Sequence, residues 1–198
     1  MTDNTTLPGT GDTIADDDIS GVKYQRVKLI TGNDGSNDGD VSSTNAFPTK
    51  GLGFSITNTL TVSTSGYSLL DVAGGLITFA NAVSAVNKRA VINTLVLGAV
   101  SALPYELWIF ASDIATPAAD NAAFALTVAD VAMCKGIIPI SAGDYFAAQT
   151  SFNVACLRGI GFEYSSTATS IYGYLKVLST SAAGSTVATL MIAGEFID

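Results

Sequence analysis

Short runs of Val, Ile, Leu, Thr and aromatic residues recur along the chain, alternate with polar positions, and are closed by Gly, Pro, Ser or Asn. Alternation with period two puts successive side chains on opposite faces of a strand, and the closing residues favour turns. The pattern predicts strands at 53–64, 67–72, 76–79, 90–100, 106–112, 136–140, 152–157, 161–164, 170–179 and 186–196. One short helix interrupts them: Thr127 can cap it, Asp130 three residues on closes a capping box, and Gly136 is placed to end it after Lys135. Many short strands with regular turn signals and no repeated strand–helix alternation predict an all-β protein. The architecture expected for 46–198 is a jelly-roll-like β-sandwich with one short helix.

The first 45 residues follow a different pattern and predict an extended N-terminal arm with one strand and a hinge. Eight of the seventeen acidic residues fall within the first forty positions, with Asp12, Asp16, Asp17 and Asp18 in one cluster. Within the arm, 22–30 (VKYQRVKLI) alternates, with Val22, Tyr24, Arg26 and Lys28 on one face. Such a segment can add to a sheet edge, its own or a neighbour's, which makes Tyr24, Arg26 and Lys28 candidate interaction residues. The stretch after it, TGNDGSNDGD, is turn chemistry throughout.

Composition narrows the function classes. Hydrophobic residues make up 48% and charged residues 13%, about half the usual charged share, so the surface is polar but neutral or is covered by contacts. A net charge of -8 with nine Lys and Arg in all speaks against a nucleic-acid partner. No apolar run approaches the roughly 20 residues that span a bilayer, so no membrane partner is expected. The first eight residues, polar and without a basic or apolar segment, predict no secretory signal and synthesis and assembly in cytoplasm. The absence of histidine removes Ser–His and Cys–His catalysis and His-ligated zinc. Cys134 and Cys156 sit among apolar neighbours and are expected as buried reduced thiols, a disulfide between them being left open.

The remaining candidates for chemistry fall short of a site. Asp34, Ser36 and Asp38 match the opening of a calcium loop, but position twelve is Asn45 where a bidentate glutamate belongs; a solvated hinge is the better reading. Asp16, Asp17 and Asp18 are adjacent, so a regular strand cannot turn all three towards one ion. Glu106, Glu163 and Glu195 are the only glutamates, and their spacing pairs none of them. Trp108, in YELWIF, is expected to fill the sandwich interior. No catalytic residue and no cofactor is expected.

Two segments resemble virion structural proteins of tailed bacteriophages. One is GVKYQRVKLITGNDGS (21–36), similar to the YQRVKL-then-glycine-turn signature near the N-terminus of such proteins. The other runs from YELWIF to IIPI (105–140) and is followed by IYGYLKVL (171–178) and a terminal strand ending at Asp198. The resemblance covers most of the chain and carries no catalytic motif. It implies a capsid decoration, cement or head-associated protein that binds the major capsid protein or other virion proteins and forms homo-oligomers, with a trimer favoured. A tail, baseplate or head-fibre component with glycan contact through an exposed aromatic is the alternative.

Overall fold

The computed structural model describes residues 4–6, 13–19, 22–25, 53–85, 88–114, 118–149, 152–180 and 187–197, with backbone alone at 4–6, 13–19, 22–25 and 187–188. The chain forms two compact units, Met1–Gly51 and Leu52–Asp198. In the first, β1 (Asn4–Thr6), β2 (Thr13–Ile19) and β3 (Val22–Gln25) form an antiparallel sheet in the order β1-β2-β3. The sequence predicted one strand here, and the structure has three. The unexpected β2 carries Asp16, Asp17 and Asp18, and Asp is depleted in strands, so local preference argued against it.

The second unit contains β4 (Gly53–Thr61), β5 (Val72–Phe79), β6 (Arg89–Ala99), β7 (Tyr105–Phe110), α1 (Val128–Met133), β8 (Cys134–Ile140), β9 (Tyr145–Gln149), β10 (Phe152–Ser165), β11 (Ile171–Val177) and β12 (Val187–Ile197). They build a five-stranded sheet, β4-β12-β6-β10-β9, and a four-stranded sheet, β5-β11-β7-β8. With β9 set aside as an added edge strand, the antiparallel pairs are β4 with β12, β5 with β11, β6 with β10, and β7 with β8. The first strand thus pairs with the last and each later strand with the one before, in alternate sheets. A long hairpin wound round a common core in this way is a jelly roll.

Period-two alternation fills the interior. Tyr105, Leu107 and Ile109 of β7, Ile138 and Ile140 of β8, Ile77 and Phe79 of β5, Leu95 and Leu97 of β6, and Leu190 and Ile192 of β12 are buried together. Glu106, Trp108 and Phe110 occupy the opposite face of β7. There the connection from β7 to β8 folds back over the four-stranded sheet and makes a second apolar cluster around Val72, Phe110, Ile114 and Tyr174. Backbone bonds tie this connection to the β5 edge: Val72 N–H donates to Ala122 O at 2.8 Å, Asn121 N–H to Val72 O at 2.8 Å, and Phe124 N–H to Leu70 O at 2.9 Å. Asp120 locks it, its Oδ1 accepting from the Tyr67 hydroxyl at 2.8 Å and from Gly74 N–H at 2.6 Å.

Several local expectations are corrected. Residues 67–71 are a turn with one isolated bridge: Leu70 has φ 72 and Asp71 Oδ2 accepts from Ser68 N–H at 2.6 Å, so a side chain takes the bond a strand would need. The segments 152–157 and 161–164 are one strand, β10, whose register against β6 shifts between Arg158 and Phe162, where Gly159 and Gly161 both have positive φ. β9 was missed because Ala and Gln carry little strand preference. Both cysteines are free and half-buried, less enclosed than predicted.

Candidate interaction surface

Among the described residues of the second unit, four of the nine exposed large apolar side chains lie on α1 and the start of β8. Thr127 opens the helix in extended conformation, its Oγ1 accepting from Asp130 N–H at 3.2 Å, while Asp130 Oδ2 accepts from Thr127 N–H at 2.8 Å. The predicted capping box is present, and Asp130, 1% exposed, is the one helix residue that is buried. Gly136 does not end the helix. The chain leaves it at Cys134 directly into β8, and Gly136 serves the ladder instead, with φ +150 and a position where a Cβ would lie 2.6 Å from the Phe162 ring. Because the cap spends the single inward-facing position on a carboxylate, the apolar residues of VADVAM turn outward. Val128 is 90% and Val131 57% exposed, and Met133 and, four residues on, Ile137 are exposed as well. These four side chains are the candidate contact surface of the unit.

Next to it on the same sheet face lies a half-buried polar group. Glu106 Oε2 accepts from Lys176 Nζ at 2.9 Å and from Trp108 Nε1–H at 2.9 Å, and the Lys176 ammonium sits 5.3 Å from the centre of the Trp108 ring. Trp108 therefore does not fill the interior; it packs edge-on against Phe124 in the outer cluster. The signal was present in YELWIF: Glu106 two positions before Trp108 shares its face. The Lys176 ammonium holds the Glu106 carboxyl below the ordinary glutamate range, the indole N–H adding to this and burial opposing it. A lowered carboxyl contributes stability above the ordinary glutamate range, and this is lost as pH falls through its folded value. Glu106→Gln is expected to cost about 1 kcal/mol near neutral pH, and the difference from wild type is expected to shrink in acid. Urea midpoints of both proteins across the acid range check it, and a pH-independent gap contradicts it.

The other candidate positions fall elsewhere. Tyr24 lies in β3, in register with Asp17 of β2. Arg26, Lys28, Asp34, Ser36 and Asp38 lie outside the described residues. Glu163 forms an ion pair with Arg89, and Asp144 Oδ2 caps a 3-10 turn by accepting from Ser141 N–H at 2.7 Å. Among the described residues, no three His, Cys, Asp or Glu side chains gather where they can hold a metal ion. Burial pushes the Tyr105 hydroxyl up to about 12, and burial together with Asp113, to which it donates at 3.2 Å, raises Tyr174. These are packing effects on core tyrosines. No helix of the described residues is long and apolar enough to cross a membrane.

No protein-family model, no curated protein and no solved structure matches this chain.

Proposed function

We propose that the protein is a non-enzymatic structural component of a tailed-phage virion, a capsid decoration or cement protein that binds the major capsid lattice and neighbouring copies of itself. The docking part of this reading is carried by one observation, the exposed apolar stretch from Val128 to Ile137. The virion part rests on the resemblance of 21–36 and 105–140 to phage structural proteins. A low-charge jelly roll suits a repeating surface, because cementing requires buried area at subunit junctions and needs no chemistry. Contacts of about 800 Å² per partner suffice for one junction, and multivalency across a lattice multiplies the effect. On this reading the protein is assembled in the host cytoplasm and resides on the capsid surface.

A second position on the particle, in the tail or a fibre with glycan contact, is favoured by Phe146, an aromatic on the edge strand β9 that is 71% exposed. Copy number separates the two. Quantitative mass spectrometry of purified particles is expected to give a ratio to the major capsid protein near one or a simple lattice fraction of it. A ratio of a few per cent would move the protein to the tail or fibres, and absence from the particle would end the virion reading.

A further inference from the structure

The two sheets of the second unit differ on their outer faces. The fold-back of the chain lays an apolar cluster over the four-stranded sheet, whereas the five-stranded sheet leaves Phe146 71% exposed and Thr57 and Thr59 exposed. Leu95, Leu97, Leu190 and Ile192 turn inward, so Val96 and Met191 turn outward. Strand register sets Phe146, Val154 and Gly98 in one row across this outer face and Cys156, Val96 and Met191 in the next. None of the six is charged, although the solvated face of an antiparallel sheet is ordinarily polar. The four charged residues of these strands, Arg89, Arg158, Glu163 and Glu195, all lie at one end. Glu163 is held by Arg89. That leaves Arg158 as a surplus cation on β10 and Glu195 as a surplus anion on β12, both exposed, unpaired among the described residues, and on opposite sides of β6.

We propose that this face joins two copies of the chain, stacked sheet on sheet about a twofold axis that runs along β6. β6 is the third of five strands, so the rotation exchanges β12 with β10 and β4 with β9. Sheets stacked in this way keep their strands within about 30° of one another, about 10 Å apart. Val96 then meets Val96, and Cys156 lies over Met191 of the second copy, apolar against apolar. Arg158 lies over Ala193, one row from Glu195 of the second copy. Each of two symmetric clusters holds Arg89, Arg158 and Glu163 of one copy with Glu195 of the other, two cations with two anions. A partner for this face must present an anion opposite Arg158 and a cation opposite Glu195, and the face itself does so, as an isologous contact requires. Its extent is sufficient: about 26 Å along β6 from Val91 to Gly98 and about 24 Å across five strands give roughly 600 Å² in plan. Specific interfaces bury about 600–1,000 Å² per partner. The contact needs only this sheet and does not depend on where the protein works.

Sedimentation equilibrium of the full chain tests it, and a reversible monomer–dimer equilibrium is expected. Arg158→Glu and Glu195→Arg each set like charges together at both clusters and are expected to weaken the dimer at least about tenfold. The two changes move the net charge in opposite directions, so a common loss cannot come from general repulsion between the chains. The double variant Arg158→Glu/Glu195→Arg restores opposite charges and is expected to return the dimer to within about threefold of wild type. Both positions are exposed, and thermal melts of all three variants are expected to match wild type. A chain that is monomeric at every concentration overturns the proposal, as does an oligomer, dimer or trimer, that neither single change weakens. Loss in both single variants without recovery in the double variant overturns the axis along β6.

Discussion

Gly194→Ala is expected to destabilise the sandwich by about 3 kcal/mol or more, a large share of the roughly 5–15 kcal/mol that holds a domain of this kind together. Gly194 lies in β12 between two partners, opposite Phe54 on β4 and Ile92 on β6, where the β12–β6 register shifts. A Cβ there would sit 1.8 Å from the Val91 carbonyl oxygen and 2.9 Å from the Phe54 ring. The ring can tilt, but the carbonyl belongs to the ladder, so relief requires β6 and β12 to part where both are central strands. Gly143→Ala is the control: its Cβ meets nothing nearer than Ser141 Oγ at 3.7 Å, and a change within about 0.5 kcal/mol is expected. Denaturant midpoints of the two variants against wild type check the pair. A Gly194→Ala protein within about 1 kcal/mol of wild type would show that β12 and β6 do not approach this closely.

The double variant Val128→Asp/Val131→Asp is expected to retain the wild-type thermal melt and to lose at least about a hundredfold in affinity for the particle, or ~2.7 kcal/mol. Val128 is 90% and Val131 57% exposed, so the fold gives up little buried area when they change. A bound partner that covers them gains from each a large part of the roughly 1.5–3 kcal/mol that burying such a side chain yields, and carboxylates on a desolvated surface reverse that gain. Addition of the purified variant to particles stripped of the protein, with occupancy read by gel densitometry, measures the loss. Unchanged occupancy would remove α1 from the contact and leave the capsid reading without its docking surface. A lowered melt would instead mean that α1 supports the fold. The two results are separable because melt and occupancy are read independently.

Much of the architecture was legible from the residues alone. Alternation in YELWIF, RAVINTLVLGA and IYGYLKV marks inner and outer faces because a strand's side-chain period is a local property of the backbone. The Thr127–Asp130 capping box is equally local, since both partners lie within one helical turn. Where prediction failed, a distant partner decided. Gly136 reads as a helix stop until the Phe162 ring is found against it, and Trp108 reads as core until the fold-back of 118–126 gives β7 a second apolar face. The three-stranded pairing of the first unit brings an Asp-rich segment into a sheet against its local preference.

The candidate surface divides in the same way. Its helix and cap were visible in the sequence, but the exposure of Val128 and Val131 was not. Apolar residues on a capped helix ordinarily face the core, and here the buried position is held by Asp130. Local residue order was enough to set where most strands form and which face most side chains take. Long-range packing settled which strands are neighbours, which edges stay open and which apolar residues stay in water. Those properties depend on contacts between residues far apart in the chain, about which local periodicity carries no information.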